Sequence, residues 1–483
     1  MNRAPAAALT RLSEATLPRV RPPVRVPAYD RRAARIGVVH FGPGAFHRAH
    51  QAFYFDEMLA AGAPLAVCGV SLRSPDLRAA LLPQDGLYTL AEREAEPGLR
   101  VVGALKETLT APEAPEAVFA RLASPDLRIV TATVTEKGYC LTAGGELDLD
   151  HPDIRHDLAH PQAPRSFPGW LLEGLARRRA AGLPPPVVIS CDNLSDNGVK
   201  LARALRALAL SRSDHDLAAW LDAEVAFPNS MVDSITPATD AALRAQVDAA
   251  LGLHDAWPVQ RERFVQWVVE DRLGADRGAF EAAGVTVARE VAPFERAKLR
   301  LLNGAHSTLA YVGLGLGHAT VSEAMADPRL AGFVERMMRE DVAPTVRAPE
   351  LDVARYIGQV LDRFRNPAIV HRLSQIAWDG SQKLRFRLLE TAAEALAAGR
   401  PVERLAVGVA AWMRFVRRQA QAGAELVDPL ADQLLPLGLA GRPEGFLALS
   451  AVFPPGLAAA PAFRTAVADA YAALERDPAA PLL

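Results

Sequence analysis

Arg35-Ile-Gly-Val-Val-His-Phe-Gly-Pro-Gly-Ala-Phe-His-Arg-Ala-His-Gln51 is the stretch on which the fold turns. An apolar run rich in β-branched residues reads as a buried strand. Gly42-Pro43-Gly44 follows, and Ala45 to Ala61 reads as a helix. A glycine pair between a strand and a helix lets the backbone approach a pyrophosphate resting on the helix N-terminus. The bland alternative is a tight strand-to-helix turn, and the third glycine of the usual fingerprint is absent. Further strands are expected at Leu65–Leu72, Tyr88–Glu92, Arg100–Ala104, Ile129–Val134 and Pro186–Cys191. Helical stretches such as Gly169–Ala181 and Val199–Leu210 lie between them. Strands alternating with helices indicate a parallel α/β sheet.

Beyond about residue 290 helical segments dominate: Phe294–Leu316, Leu330–Val342, Leu351–Arg363, Ile369–Gln375, Leu384–Ala398, Val402–Ala420 and Ala462–Glu475. At 483 residues the chain exceeds one ordinary core. The reading is an extended lead-in (1–34), a Rossmann-type domain (35–288) and a mainly α-helical domain (289–483). A formal net charge of -2 offers no basic excess for a polyphosphate partner, so nucleic acid is disfavoured. Cys68, Cys140 and Cys191 are far apart and form no CxxC pair, which fits a reducing compartment. No uncharged apolar run is long enough to span a bilayer, and the first 32 residues lack the apolar core of a secretory signal. The expectation is a cytoplasmic protein without a membrane partner.

Of 54 basic residues only five are lysine: Lys106, Lys137, Lys200, Lys298 and Lys383. Lysine can lose its proton when buried, whereas arginine in practice cannot. Lys298 opens the apolar run Lys298-Leu-Arg-Leu-Leu-Asn-Gly-Ala-His306. At about 100° per residue, with Lys298 at zero, Glu295 falls near ~60°, His306 near ~80° and Asn303 near ~140°. One reading is a snorkelling lysine and a hydrogen-bonded core histidine. The other is a buried lysine, its pKa lowered, exchanging a proton with a substrate hydroxyl.

Two Asn-bearing turns add polar groups. Val187-Val-Ile-Ser-Cys-Asp-Asn-Leu-Ser-Asp-Asn-Gly198 ends a strand, where α/β folds bind ligands, and Asn193 could donate its amide to a developing oxyanion. Phe227-Pro-Asn-Ser-Met-Val-Asp-Ser-Ile-Thr-Pro237 reads as a polar loop carrying Asp233. Near the glycines, Arg48 could reach a phosphate. His47 and His50 form either a metal pair or a capping and packing pair. Asp76 is the candidate acid for ribose hydroxyls, while the flanking Arg73 and Arg78 could favour a 2′-phosphate.

Taken in order, HFGPGAFHRAHQ (40–51), TVTEKGYC (133–140), SCDNLSDNG (190–198), FPNSMVDSITP (227–237), FVQWVVED (264–271), KLRLLNGAH (298–306) and DGSQK (379–383) resemble the mannitol dehydrogenase family of polyol-specific long-chain dehydrogenases. The resemblance implies a Rossmann-type domain, a helical domain and an active site between them, working without zinc or another metal. It implies NAD as cofactor, with NADP open, and Phe41, Gly42, Gly44, Phe46, Arg48, Asp76, Glu136 and Lys137 around it. It implies Lys298 as general acid/base, with Asn193 and Asn303 bracketing the reacting oxygen and His306 positioning it. Glu295 would gate the proton's exit, and Asp233 and Lys383 would hold substrate hydroxyls. The implied partner is a small sugar alcohol or ketose, D-mannitol and D-fructose being the named pair, and the implied state is a monomer. There are departures. Ser234 replaces the family's usual arginine, Pro75 stands where NAD-preferring relatives often carry a second acid, and Gln375 replaces a substrate-binding arginine. The run Gln375–Lys383 looks more like the fructuronate reductase branch, where Arg372 could meet a substrate carboxylate. A non-catalytic dinucleotide sensor would need the glycine turn but not the polar face around Lys298.

Overall fold

The computed structural model describes residues 9–94 and 97–482; residues 1–8 of the expected lead-in lie outside them. The chain forms two compact units, the first ending at Ala292 and the second beginning at Pro293.

Five strands build the centre of the first unit: β1 (Ile36–Phe41), β2 (Ala66–Ser71), β3 (Leu105–Thr110), β4 (Ile129–Ala132) and β5 (Val187–Ser190). Their order is β3-β2-β1-β4-β5, and every pairing is parallel. Alternate residues feed two cores. Val39, Phe41, Cys68 and Val70 pack on one face, and Val38, Ala66 and Val67 on the other. Burial on both faces is why β1 and β2 read as nearly continuous apolar runs rather than alternating ones. The strand order reverses beside β1, so a crevice is expected at the carboxyl ends of β1, β2 and β4.

Two of the expected strands lie elsewhere. Tyr88–Arg93 and Gly98–Val102 pair antiparallel, and Val259–Glu262 joins them in a separate sheet. The sheet position next to β2 is taken instead by β3, whose Lys106, Glu107 and Thr108 hid it. The expected polar loop at 227–237 contains a buried strand, Ser230–Asp233, paired with Gln266–Glu270. The lead-in is tied down along residues 9–34. Leu12 is fully buried, and Arg31 donates to the carbonyl oxygens of Gly103 and Asp85 at 2.8 and 2.6 Å.

The expected helix from Ala45 to Ala61 is two, Ala45–Ala49 and Gln51–Ala60, broken at His50 (φ −116°, ψ −86°). His50 Nε2 bonds the Gln266 carbonyl oxygen at 2.9 Å, and the His47 ring stacks on His40 with centroids 3.4 Å apart. These two histidines therefore serve packing and the chain break. Among the described residues, no three metal-capable side chains gather to hold an ion. Nor is any helix among them long and apolar enough to cross a membrane.

The second unit is helical, with Glu403–Ala422 packed against Gly304–Leu316. Three of its helices contain a π turn: Lys298–Asn303, Met337–Val342 and Arg385–Leu389. The segment expected as one regular helix from Phe294 to Leu316 is thus α-helix Ala292–Ala297, then the π turn, then Gly304–Leu316.

Gly42 makes the turn after β1 possible. Its φ is +82°, and a Cβ there would collide with the Thr133 carbonyl oxygen. At Gly44 a Cβ would meet only the Gly42 carbonyl oxygen, at 3.8 Å. Gly42→Ala is therefore expected to destabilise the protein by about 1–3 kcal/mol in urea unfolding, while Gly44→Ala costs a small fraction of that. Equal losses for the two variants would refute this account of the turn.

Candidate functional site

In the first unit a cavity of about 1070 Å³ opens at the carboxyl ends of β1, β2 and β4. Of the residues expected around a cofactor, Gly42, Gly44, Arg48, Asp76 and Lys137 line it. Phe41, Phe46 and Glu136 do not; the Phe41 ring lies in the core, edge-on to Phe167 at 5.3 Å. Arg48 is almost fully buried and already engaged. Its Nη1 donates to the Trp257 carbonyl oxygen at 2.6 Å, and its guanidinium stands 5.4 and 5.2 Å from the Tyr88 and Trp257 rings. Arg48 thus braces the cavity wall that it also lines. Asp76 opens the short helix Asp76–Leu81 and is exposed, as is Arg73, which reaches Asp153 at 3.9 Å. A carboxylate and a guanidinium therefore share the cavity rim beyond β2.

The loop after β4 is held by a residue that sequence reasoning passed over. Asp192 accepts hydrogen bonds from the Val134 and Thr135 backbone N–H groups, both at 2.9 Å, and from the Tyr139 hydroxyl at 2.8 Å. Thr135 is kept at φ +66° by this bracket, directly before the turn carrying Lys137. Burial pushes the Asp192 carboxyl up, and the three donors offset that. The available signal was its place just beyond β5, one residue before Asn193.

Asn193 is exposed in the turn after β5, while Asp233 ends the strand Ser230–Asp233 and is buried. The structure brings their segments together through Asn197. Its Nδ2 donates to the Ser230 carbonyl oxygen at 2.8 Å, and its Oδ1 accepts from the Ser230 N–H at 2.9 Å.

In the second unit Lys298 begins the π turn, Asn303 ends it, and both are half-buried. The Gly304 N–H reaches back five residues to the Leu299 carbonyl oxygen. Each residue of such a turn advances less than the ~100° of an α-helix. Asn303 and His306 therefore swing back towards the line of Lys298, closer than the regular wheel places them. The Asn303 amide has no hydrogen-bond partner among the described residues, which leaves it available as a donor. His306 is buried, with its ring 4.4 Å from Phe364 and 5.0 Å from His371, and its Nε2 makes no bond. Burial pushes its pKa well below the usual value, helped by the neighbouring His371, Arg363 and Arg387. His306 is thus a neutral hydrogen-bonding group at neutral pH. Glu295, half-buried, lies one turn before Lys298.

Lys383 donates from Nζ to the Trp378 carbonyl oxygen at 2.5 Å and lies 3.9 Å from Asp379. Burial and then Arg387 lower its pKa, while Asp379 and Asp428 oppose the shift. Arg372 is exposed at the start of the short helix Leu373–Ile376, and it is the adjacent His371 that reaches His306. Sequence reasoning also missed Arg387. Its Nη1 donates to the Ser307 hydroxyl at 3.1 Å and to the Asn303 carbonyl oxygen at 3.5 Å, which ties it to the end of the π turn. Its place four residues after Lys383, on the same helical side, was the only hint.

Comparison with known proteins agrees across both units. Residues 36–281 match the mannitol dehydrogenase Rossmann domain, and residues 290–475 match the mannitol dehydrogenase C-terminal domain. The chain is 41% identical over 462 residues to the uncharacterized oxidoreductase YeiQ of Escherichia coli (strain K12), covering 93% of this chain and 94% of that one. It is 40% identical over 466 residues to mannitol 2-dehydrogenase of Phaeosphaeria nodorum, covering 94% and 82%. Among solved structures, the Pseudomonas fluorescens mannitol 2-dehydrogenase in ternary complex with NAD and D-mannitol matches with a TM-score of 0.79 and 37% identity, over 98% of both chains. A D-sorbitol dehydrogenase in substrate-free form matches with a TM-score of 0.92 and 33% identity, over 98% of this chain and 100% of that one. The glycine turn on a parallel sheet, the lysine on its widened helical turn and these matches along both units lead to one conclusion: the chain belongs to the mannitol dehydrogenase family.

Proposed function

We infer that this protein is an NAD-dependent oxidoreductase that interconverts a secondary alcohol of a linear polyol and a ketose, D-mannitol and D-fructose being the named pair. The observation that carries the reading is the π turn that sets Lys298, an amide without a partner at Asn303 and a neutral His306 along one side of a buried helix. The relative solved with NAD and D-mannitol supports the choice of cofactor and sugar.

The residues present fit a dinucleotide. Gly44 lines the cavity without a side chain to fill it, and the cavity has room for a large ligand. Gly42, Gly44 and Lys137 would hold the cofactor's phosphates and nicotinamide end, and Asp76 its ribose hydroxyls. NAD, when bound, supplies the acceptor for a hydride, and NADH the donor. Asp76 opposes a 2′-phosphate by like charge, and Arg73 on the same rim works the other way.

Neutral Lys298 takes the proton of the reacting hydroxyl, and in the reverse direction its ammonium returns one. The Asn303 and Asn193 amides donate to the reacting oxygen as it gains alkoxide character; fixed dipoles of this kind cost no reorganisation. His306 holds that oxygen's orientation as a neutral ring and carries no proton away. Glu295 relays the proton between Lys298 and solvent. Asp233 and Lys383 hold the remaining hydroxyls.

A second reading is reduction of a keto-hexuronate such as fructuronate. It is favoured by Arg387, whose guanidinium makes no ion pair with a carboxylate among the described residues. Arg372 is the other cation that could meet a substrate carboxylate.

The test is cofactor absorbance with mannitol, sorbitol, arabinitol, fructose and fructuronate, each with NAD(H) and NADP(H). Mannitol with NAD is expected to give the highest kcat/KM, and binding of NADH without turnover of any sugar would instead make the protein a sensor. Lys298→Ala is expected to lower kcat by roughly 10²–10⁴-fold while NADH binding stays unchanged. A Lys298→Ala enzyme of near wild-type kcat would remove the lysine from its proposed role. Arg372→Ala separates the two sugars. The polyol reading expects less than a threefold change in KM for fructose. The hexuronate reading expects KM for fructuronate to rise about tenfold or more, the ~1.4 kcal/mol of a lost charged contact.

A further inference from the structure

A second basic constellation lies in the helical unit, apart from the residues assigned above. A pocket of about 350 Å³ is lined by Arg296, Arg347, Arg400, Glu394, Pro344 and Thr345, with the methyl groups of Ala397 and Ala398. That volume falls at the lower end of the roughly 300–1,000 Å³ of small-molecule sites. Its single carboxylate is already taken. Glu394 receives two hydrogen bonds from Arg300, at 2.7 and 2.5 Å, and Arg300 also donates to the Thr345 carbonyl oxygen at 3.1 Å. The carboxyl of Glu394 is held low first by Arg300, with Arg296 and Arg347 adding to the field. The Thr345 hydroxyl is engaged as well, donating to the Val342 carbonyl oxygen at 2.7 Å.

Three guanidiniums remain. Among the described residues, the guanidinium groups of Arg296, Arg347 and Arg400 make neither a hydrogen bond nor an ion pair within 4 Å. Arg296 and Arg347 are exposed, and Arg400 is half-buried with its Nε shut off from solvent and unbonded. In a chain whose basic and acidic residues nearly cancel, this is a local excess of three positive charges around one concavity. Like charges facing a shared pocket repel unless an anion lies between them. A carboxylate is satisfied by one bidentate arginine, whereas the peripheral oxygens of a phosphate can accept from several at once.

We propose that this pocket is a binding site for a phosphate group, free or as the monoester of a small sugar. Arg296, Arg347 and Arg400 grip its oxygens. The wall of Pro344, Ala397 and Ala398 gives an ester's carbon skeleton somewhere to lie. The site is separate from the proposed sugar chemistry, and its occupancy is read by binding alone. It nevertheless bears on that chemistry, because Arg296 and Arg300 flank Lys298 in the chain.

The test is isothermal titration of the full-length protein with glucose 6-phosphate and, separately, inorganic phosphate, at about 0.15 M salt so that loose counter-ion association is screened. Saturable binding tighter than about 1 mM is expected for at least one probe. The double variant Arg347→Gln/Arg400→Gln is expected to weaken it at least tenfold, while Arg464→Gln, an exposed arginine elsewhere, leaves it unchanged. Each single variant is expected to weaken binding at least threefold, which keeps the proposal testable should the double variant not fold. A tighter ester than phosphate makes the sugar phosphate the ligand, and equal affinities make it the free ion; either result supports the site. Wild-type affinity in folded variants, or no saturable binding of either probe, would overturn it. The double variant is expected to keep wild-type turnover without phosphate, so loss of this site and failure of the polyol reading give different results.

Discussion

A helix that takes in one extra residue must find something to fill the widened turn, and in the second unit the neighbouring chain does so. The π turn Lys298–Asn303 packs on the π turn Arg385–Leu389. Gly304 makes that approach possible, since a Cβ there would stand only 2.8 Å from the Arg387 carbonyl oxygen. The same residue's side chain then reaches back to the Asn303 carbonyl oxygen and the Ser307 hydroxyl. Backbone and side chain of Arg387 thus clamp the end of the turn that Lys298 begins. Turns of this kind are rare because their hydrogen bonds are less favourable than those of an α-helix, and they are found disproportionately at functional sites. The gain here is angular. It gathers Lys298, Asn303 and His306 more closely than an ideal helix would, without a loop that would have to be ordered at each turnover.

The first unit meets a comparable problem with a carboxylate. The loop after β4 must run past the cavity mouth with Thr135 in a left-handed conformation that a threonine rarely adopts. Asp192 takes two of the loop's N–H groups and the Tyr139 hydroxyl, and so secures the loop to the end of β5. Asn197, five residues on, secures the strand of Asp233 to the same turn. One short segment, Ser190 to Asn197, therefore ties down both the loop that leads to Lys137 and the strand that ends at Asp233. This is why a sequence stretch so rich in Asp and Asn follows a buried strand.

Much of this was legible in the residues. The order strand, glycine pair, helix at Ile36–Ala49 pointed to a parallel α/β sheet, because apolar runs buried on both faces have few other uses. What stayed hidden had specific causes. Strand β3 sits at the sheet edge and carries Lys106 and Glu107, so its alternation resembles surface chain. Tyr88–Arg93 has the composition of a central strand and is one, but of the separate three-stranded sheet, and composition says nothing of pairing partner. His50 breaks a helix through a tertiary bond to the Gln266 carbonyl oxygen, which lies more than two hundred residues away. The π turn leaves no periodic trace, since a single added residue shifts a wheel without erasing its apolar face. The aromatic pair Tyr88 and Trp257 that packs on Arg48 comes from distant segments, so the sequence around the glycines does not show it.

The scarcity of lysine takes on a physical meaning at this point. Arginine holds its proton under nearly all conditions, so a guanidinium at position 298 could hydrogen-bond an alkoxide but could not take a proton from an alcohol. The proposed proton transfer calls for a group that titrates. His306 is kept neutral by burial and by neighbouring cations, so it cannot serve as the proton's resting place. Arg387 lowers the proton affinity of Lys383 in the same way. A lysine can release its proton and, as the ammonium, return it to a nascent alkoxide. Arginine suits the opposite task. Arg300 has a fixed carboxylate to hold, and Arg48 and Arg387 brace backbone carbonyl oxygens without needing to change charge. In a chain that uses arginine almost everywhere, lysine at 298 is what the acid/base role proposed above would call for.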